Sequence, residues 1–129
     1  MSTRALMGSI ALAAVTTSAA AQFSSHWQFC TGNPGIDWDT QIKSCTTLIE
    51  SGTELKENEA IAFYNRALAY ENKEKYDLAI ADFTEAIRLN PNDADFFLCR
   101  GIDKQRIGDK AGADADIAEA KRLNPNIGK

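Results

Sequence analysis

Two stretches of the chain alternate apolar and polar positions in the same way. Between about residues 58 and 72, Phe63, Ala67 and Tyr70 recur at intervals of three and four, the spacing that lines one stripe of an α-helix. Between about 76 and 89, Ala79, Phe83 and Ala86 do the same. The pattern then returns: Phe97 and Gly101 repeat the first stripe, and Ala113, Ile117 and Ala120 repeat the second. Small residues at Ala67, Ala79, Ala86, Gly101, Ala113 and Ala120 predict helix pairs whose axes approach closely. Asn-Pro at 90–91 and again at 124–125 ends each second helix, because a residue before proline is driven out of the α region. Asp93 is placed to cap the helix that follows.

The recurrence is a duplication. Residues 60–93 align with 94–127 without gaps, with 13 identities in 34 positions, and a period of that size marks a stacked-repeat architecture. Ala67, Tyr70, Tyr76, Ala79, Phe83, Ala86 and Pro91 together resemble the tetratricopeptide repeat (TPR). The second unit supplies Gly101, Gly108, Ala113, Ile117, Ala120 and Pro125, with Lys104 and Lys110 where the first has tyrosines. The resemblance implies an all-α fold, a short TPR-type helical-hairpin solenoid, with unit 1 over 58–93 and unit 2 plus a C-terminal tail over 94–129. Lys104 and Lys110 fit a terminal unit with a polar outer face.

Upstream, residues 41–51 place Ile42, Cys45, Leu48 and Ile49 on one helix face. At an offset of 38, Ile42, Thr46 and Ile49 fall on Ile80, Thr84 and Ile87, which predicts the second helix of a degenerate half-repeat. Gly32, Asn33, Pro34 and Gly35 break any helix leading into it, so its partner is expected to be absent or short. Residues 22–57 then read as an irregular segment with one helix, and the domain as a stack of about five. This layout resembles small exported bacterial TPR proteins with an N-terminal cysteine pair.

The first residues change the setting. Arg4, a mild apolar run from Ala5 to Val15 and an ending of Ala19-Ala20-Ala21 follow the pattern of a secretory signal peptide, with cleavage expected after Ala21. The run falls short of the ~20 residues that span a bilayer, so no membrane insertion is expected once it is removed. An exported, bacterial periplasmic or secreted location follows, and with it a compartment in which disulfides persist. Removing residues 1–21 leaves 13 bases against 18 acids, a net charge of −5.

Three cysteines allow one bridge. Cys30 and Cys45 flank the Gly-Asn-Pro-Gly turn, which can fold one back on the other; other pairings, or none, remain open. Cys99 sits mid-helix and reads as a small buried hydrophobe. A thiol redox protein using Cys30 and Cys45 is a remote alternative, since there is no C-x-x-C spacing and no base beyond Lys43 to hold a thiolate. Arg66/Arg100 and Asp82/Asp116 recur in step with the scaffold, which predicts a structural ion pair, Asp82 with Arg100, bridging consecutive units.

Little else suggests chemistry. The single histidine, His26, has no second convergent group and reads as solvent-exposed, so neither a metal site nor an acid–base pair is expected. Phosphate loops and dinucleotide signatures are missing, so no cofactor is expected. A net charge of −4 over the whole chain argues against nucleic acid. Binding is the remaining class, and enzyme the unlikely one. In a TPR stack the first helices line a concave face, which here carries Ile61, Tyr64, Leu68 and Asn72, then Asp95, Leu98, Ile102 and Gln105. The resemblance implies an interaction module of the cell envelope, an adaptor or scaffold, holding an unidentified protein or peptide segment in this groove. TPR domains that hold C-terminal carboxylates use Lys and Asn on this face, and Tyr64, Leu68 and Asp95 stand in those places. The alternatives are a self-associating structural module, forming a homodimer, and a groove covered by the protein's own Phe23, Trp27, Phe29 and Trp38.

Overall fold

The structure, a computed structural model, describes residues 19–129, with side chains described from Ser25 onward. Six helices follow one another: α1 (Ala19–Cys30), α2 (Trp38–Ser51), α3 (Lys56–Asn72), α4 (Tyr76–Leu89), α5 (Ala94–Arg106) and α6 (Lys110–Leu123). Each packs on the next, and α1 also touches α3, giving an all-α helical solenoid of the TPR type. Most of the expected leader, residues 1–18, lies outside the described residues.

The helix ends are set by local chemistry. Asp37, Asp93 and Asp109 cap α2, α5 and α6 through bonds accepted from the amides of Thr40, Asp95 and Gly112. Asn90 and Asn124 close α4 and α6 in nearly the same extended conformation, as a following proline requires. The turn inside each hairpin needs one left-handed residue: Gly108 supplies it in unit 2 and Glu74, at the equivalent position, adopts a φ of 58° in unit 1.

The core is a row of small clusters. Ala60, Phe63 and Ala86 gather around Phe96, while Ala67 and Ala79 close on Phe83. Alanine at these contacts lets the hairpin arms approach. At Gly101 the approach is closer still, since a Cβ there would sit 3.1 Å from that of Asp116. Phe96, almost fully buried, anchors α5 although it lies one position before the expected stripe residue Phe97.

The N-terminal region departs from expectation. Residues 22–57 are not an irregular segment with one helix, because α1 pairs with α2 and completes a first hairpin, making six helices among the described residues where about five were expected. The Gly-Asn-Pro-Gly run does break the helix, but as the connection between α1 and α2. Cys30 and Cys45 are joined in a disulfide, and with Leu48, Ala62 and Trp27 they form the first core cluster. Gln41 adds a polar tie, its amide donating to the carbonyls of Cys30 and Asn65 at 3.2 Å each. His26 is half-buried in α1, not solvent-exposed.

The repeated ion pair also differs in its partners. Arg66 donates through Nε and Nη2 to Asp82 at 2.7 and 2.8 Å, and Arg100 does the same to Asp116 at 2.8 and 2.7 Å. Asp82 therefore pairs within its own unit and not with Arg100. Each arginine and its aspartate lie eight residues either side of the hairpin turn at Glu74 or Gly108, so antiparallel arms bring them level. Arg100 still reaches back across the unit boundary, because its Nη1 donates to the Thr84 hydroxyl at 3.1 Å. Thr84 and Asp82, two residues apart on α4, face directions about 200° apart, one toward α5 and the other toward α3. Arg66 contacts Thr46 of α2 in the same way, at 3.0 Å, so α2 stands to α3 as α4 stands to α5. At the next equivalent position α6 has Ala118.

Candidate protein-binding face

Helices α3 and α5 present the same positions one repeat apart: Tyr64 and Leu68 on one, Leu98 and Ile102 on the other. All four are half-buried. Ile61, Asn72 and Gln105 are exposed, Ile61 to 44 %. Tyr64 belongs as much to the core as to the surface, since its ring lies 5.0 Å from that of Phe96 and 5.8 Å from that of Phe83. Leu68 and Cys99 pack on the same cluster as Phe83. The apolar strip is thus continuous with the packing between units, with Ile61 at its outer edge.

Of the aromatic side chains of the N-terminal region, Trp27 is engaged away from this face. Trp27 packs on the disulfide cluster and donates from Nε1 to Glu54 at 3.1 Å. Trp38 is 43 % exposed on α2. Phe23 lies among the residues whose side chains are not described.

Charges are sorted across the repeat. Arg66 and Arg100 are turned onto Asp82 and Asp116, and Lys104, where unit 1 has Tyr70, adds a second cation to Asp116 at 2.9 Å. Burial alone would raise the Asp116 carboxyl, but the hydrogen bonds from Arg100 and Lys104 outweigh it and hold the group below its ordinary value. At the far end of α5, Arg106 bonds both Glu71 and Asp103 and stacks on Tyr76, 5.2 Å from the ring centre. Asp103 is fully buried and its Oδ2 has no hydrogen-bond partner among the described residues. Burial, reinforced by Glu71, pushes its carboxyl up to about 6 against the opposing pull of Arg106. The Cys99 thiol is pushed up to about 11, first by burial and then by the carboxylates of Glu71, Asp95 and Asp103, with Tyr64 opposing through a hydrogen bond. Tyr64 shifts upward likewise, by burial and then by Cys99, Asp95 and Asp93.

Gln41, Phe96, Asp103 and Arg106 are structurally committed residues that sequence reasoning passes over. Gln41 takes the place that Ala79 holds in the next unit, and Asp103 replaces Ala69, so a polar residue at a small-residue position of the repeat is the signal that could have found both. Among the described residues no group of His, Cys, Asp and Glu is arranged to hold a metal ion, and no helix is long and apolar enough to cross a membrane. The comparison with curated proteins gives no match. Residues 60–93, from the second turn of α3 through the loop after α4, match the family model described as Tetratricopeptide repeat, which supports assigning this helical-repeat fold to the TPR family.

Proposed function

We propose that this chain is an interaction module of the bacterial cell envelope, exported by its N-terminal leader, which holds a segment of a partner protein along the face shared by α3 and α5. The helical-repeat fold is consistent with a non-enzymatic protein-interaction module. The observation that carries the rest is the half-buried apolar strip of Leu68, Leu98 and Ile102, edged by exposed Ile61 and flanked by Asn72 and Gln105. Such a strip gives an extended or helical segment apolar anchors, with polar groups at the margin. Cys30 and Cys45 are bonded to each other and fully buried, which suits a staple and not a working thiol pair.

Photo-crosslinking in the native envelope tests the reading. A photoreactive residue at position 98 is expected to give a discrete adduct with another protein, and the same probe at exposed Lys121 on α6 is expected to give none. Adducts from position 98 confined to the protein's own chain, or to a second copy of it, would overturn the adaptor reading and favour a covered groove or a self-associating module.

A further inference from the structure

If the α3–α5 face is a groove for a partner segment, the sign of the charges around the strip says more about that segment than the strip's apolar character does. The first helices are not short of cations. Arg66, Arg100 and Lys104, however, are all committed to carboxylates of the second helices, within 3 Å. Lys56, which has no ion pair among the described residues, stands at the first residue of α3, more than a turn before Ile61, and the charged groups nearest the strip itself are acidic. Asp95 occupies the position in unit 2 that exposed Ile61 holds in unit 1, and neither it nor Asp93 has an ion-pair partner among the described residues. Glu71 and Asp103 share the single guanidinium of Arg106.

Asp93 and Asp95 also border a depression of about 360 Å³ with Asn90, Asn92, Leu123 and Asn124, and no cation lines it. It lies where α4 and α6 end, whose last carbonyl groups add negative potential, and where α5 begins, whose first amides oppose it and of which that of Asp95 is already held by Asp93. Tyr64 on the strip and Cys99 packed beneath it on the Phe83 cluster feel the same sign, Tyr64 from Asp95 and Asp93 and Cys99 from Glu71, Asp95 and Asp103.

A free C-terminal carboxylate, an acidic peptide or a second copy of this acidic chain would each bring like charge to this face, which costs affinity. We infer that the segment held by the α3–α5 face is an apolar stretch of a partner protein flanked by lysine or arginine, its cationic end lying toward Asp93 and Asp95 and its apolar residues along Leu68, Leu98 and Ile102.

Selection of a randomised peptide display library on the immobilised, disulfide-intact protein tests this directly. Binders are expected to be enriched in Lys and Arg over Asp and Glu by several-fold relative to the input, and to weaken as salt is raised. Asp95→Lys is expected to lower the affinity of a representative binder about ten-fold, in line with reversing a facing charge at an interface. Binders without a basic bias, or with an acidic one, would overturn the charge assignment while leaving the groove reading in place. Binders that ignore Leu98→Gln and Ile102→Gln, in variants whose helical signal matches the parent, would overturn the groove reading itself. A selection that yields no binders would overturn both. Binders that match segments of the chain itself would assign the face to self-association and overturn the basic-partner inference.

Discussion

Asp103 carries a charge where the fold gives it little compensation. One carboxylate oxygen meets Arg106 at 3.0 Å while the other is buried without a partner among the described residues. Its pKa of about 6 in the folded chain exceeds the ordinary carboxyl value of 3.8, so the native state binds this proton more tightly than the unfolded chain does. The sign follows: below the unfolded value the group costs nothing, and stability falls as the pH rises through the folded value. Asp103→Asn is expected to stabilise the protein at pH 7 by up to about 3 kcal/mol, and the gain should shrink toward pH 4. Urea unfolding at the two pH values checks it, and an equal difference at both would show that titration is not the cause. Asp116 runs the other way, because its depressed carboxyl favours the fold at neutral pH and loses that contribution in acid. Comparing Asp103→Asn with the parent at each pH isolates the one group from the other.

Among the elements, α3 to α6 were legible in the sequence because duplication states each one twice. Where a stripe residue in one unit is ambiguous, its counterpart settles the face. The helix α1 lacked that support. It is not part of the 34-residue repeat, its sequence shows no clean period, and it begins inside the leader pattern, at Ala19. What holds it is tertiary: the Cys30–Cys45 bond, the Trp27 contact and the amide of Gln41. Arg66 and Asp82 illustrate the same limit in the candidate site. Recurrence pointed to a pair of Asp82 with Arg100, but an aspartate midway along α4 stands about as far from the turn before it as from the turn after it. Only the rotation between Asp82 and Thr84 decides which neighbour each one faces. The apolar strip was legible residue by residue, yet the role of Tyr64 between Phe83 and Phe96 depended on an anchor, Phe96, that the stripe did not include. Because α1 depends on its bridge, reduction is expected to remove about 3 kcal/mol, the closure term for a 15-residue loop. Thermal melts with and without a phosphine reductant, scored by helical signal, measure this. An unchanged melt after reduction verified by mass would show that packing alone retains α1.

For the molecule as a whole, the two arginines distribute cohesion along the stack. Arg66 joins α2, α3 and α4, while Arg100 joins α4, α5 and α6, so α4 is common to both. In a linear array each unit gains stability from its neighbours, and loss at an end spreads less than loss in the middle. Arg100→Ala is therefore expected to expose the amides of α5 and α6 to hydrogen exchange while those of α3 and α4 stay protected. Arg66→Ala should lower protection across all helices, because it leaves Asp82 buried without its charge partner. Identical exchange profiles for the two variants would show that the stack unfolds as one indivisible unit.

The column of side chains that each second helix turns toward its successor reads Ile42, Thr46 and Ile49 on α2, then Ile80, Thr84 and Ile87 on α4. On α6 the same column reads Asp114, Ala118 and Lys121. A further hairpin grafted onto α6 would present its arginine to a methyl group and bury two opposite charges that have no designed partners. Elongating the array by engineering thus begins on the existing chain, with Asp114→Ile, Ala118→Thr and Lys121→Ile, before any new unit is attached.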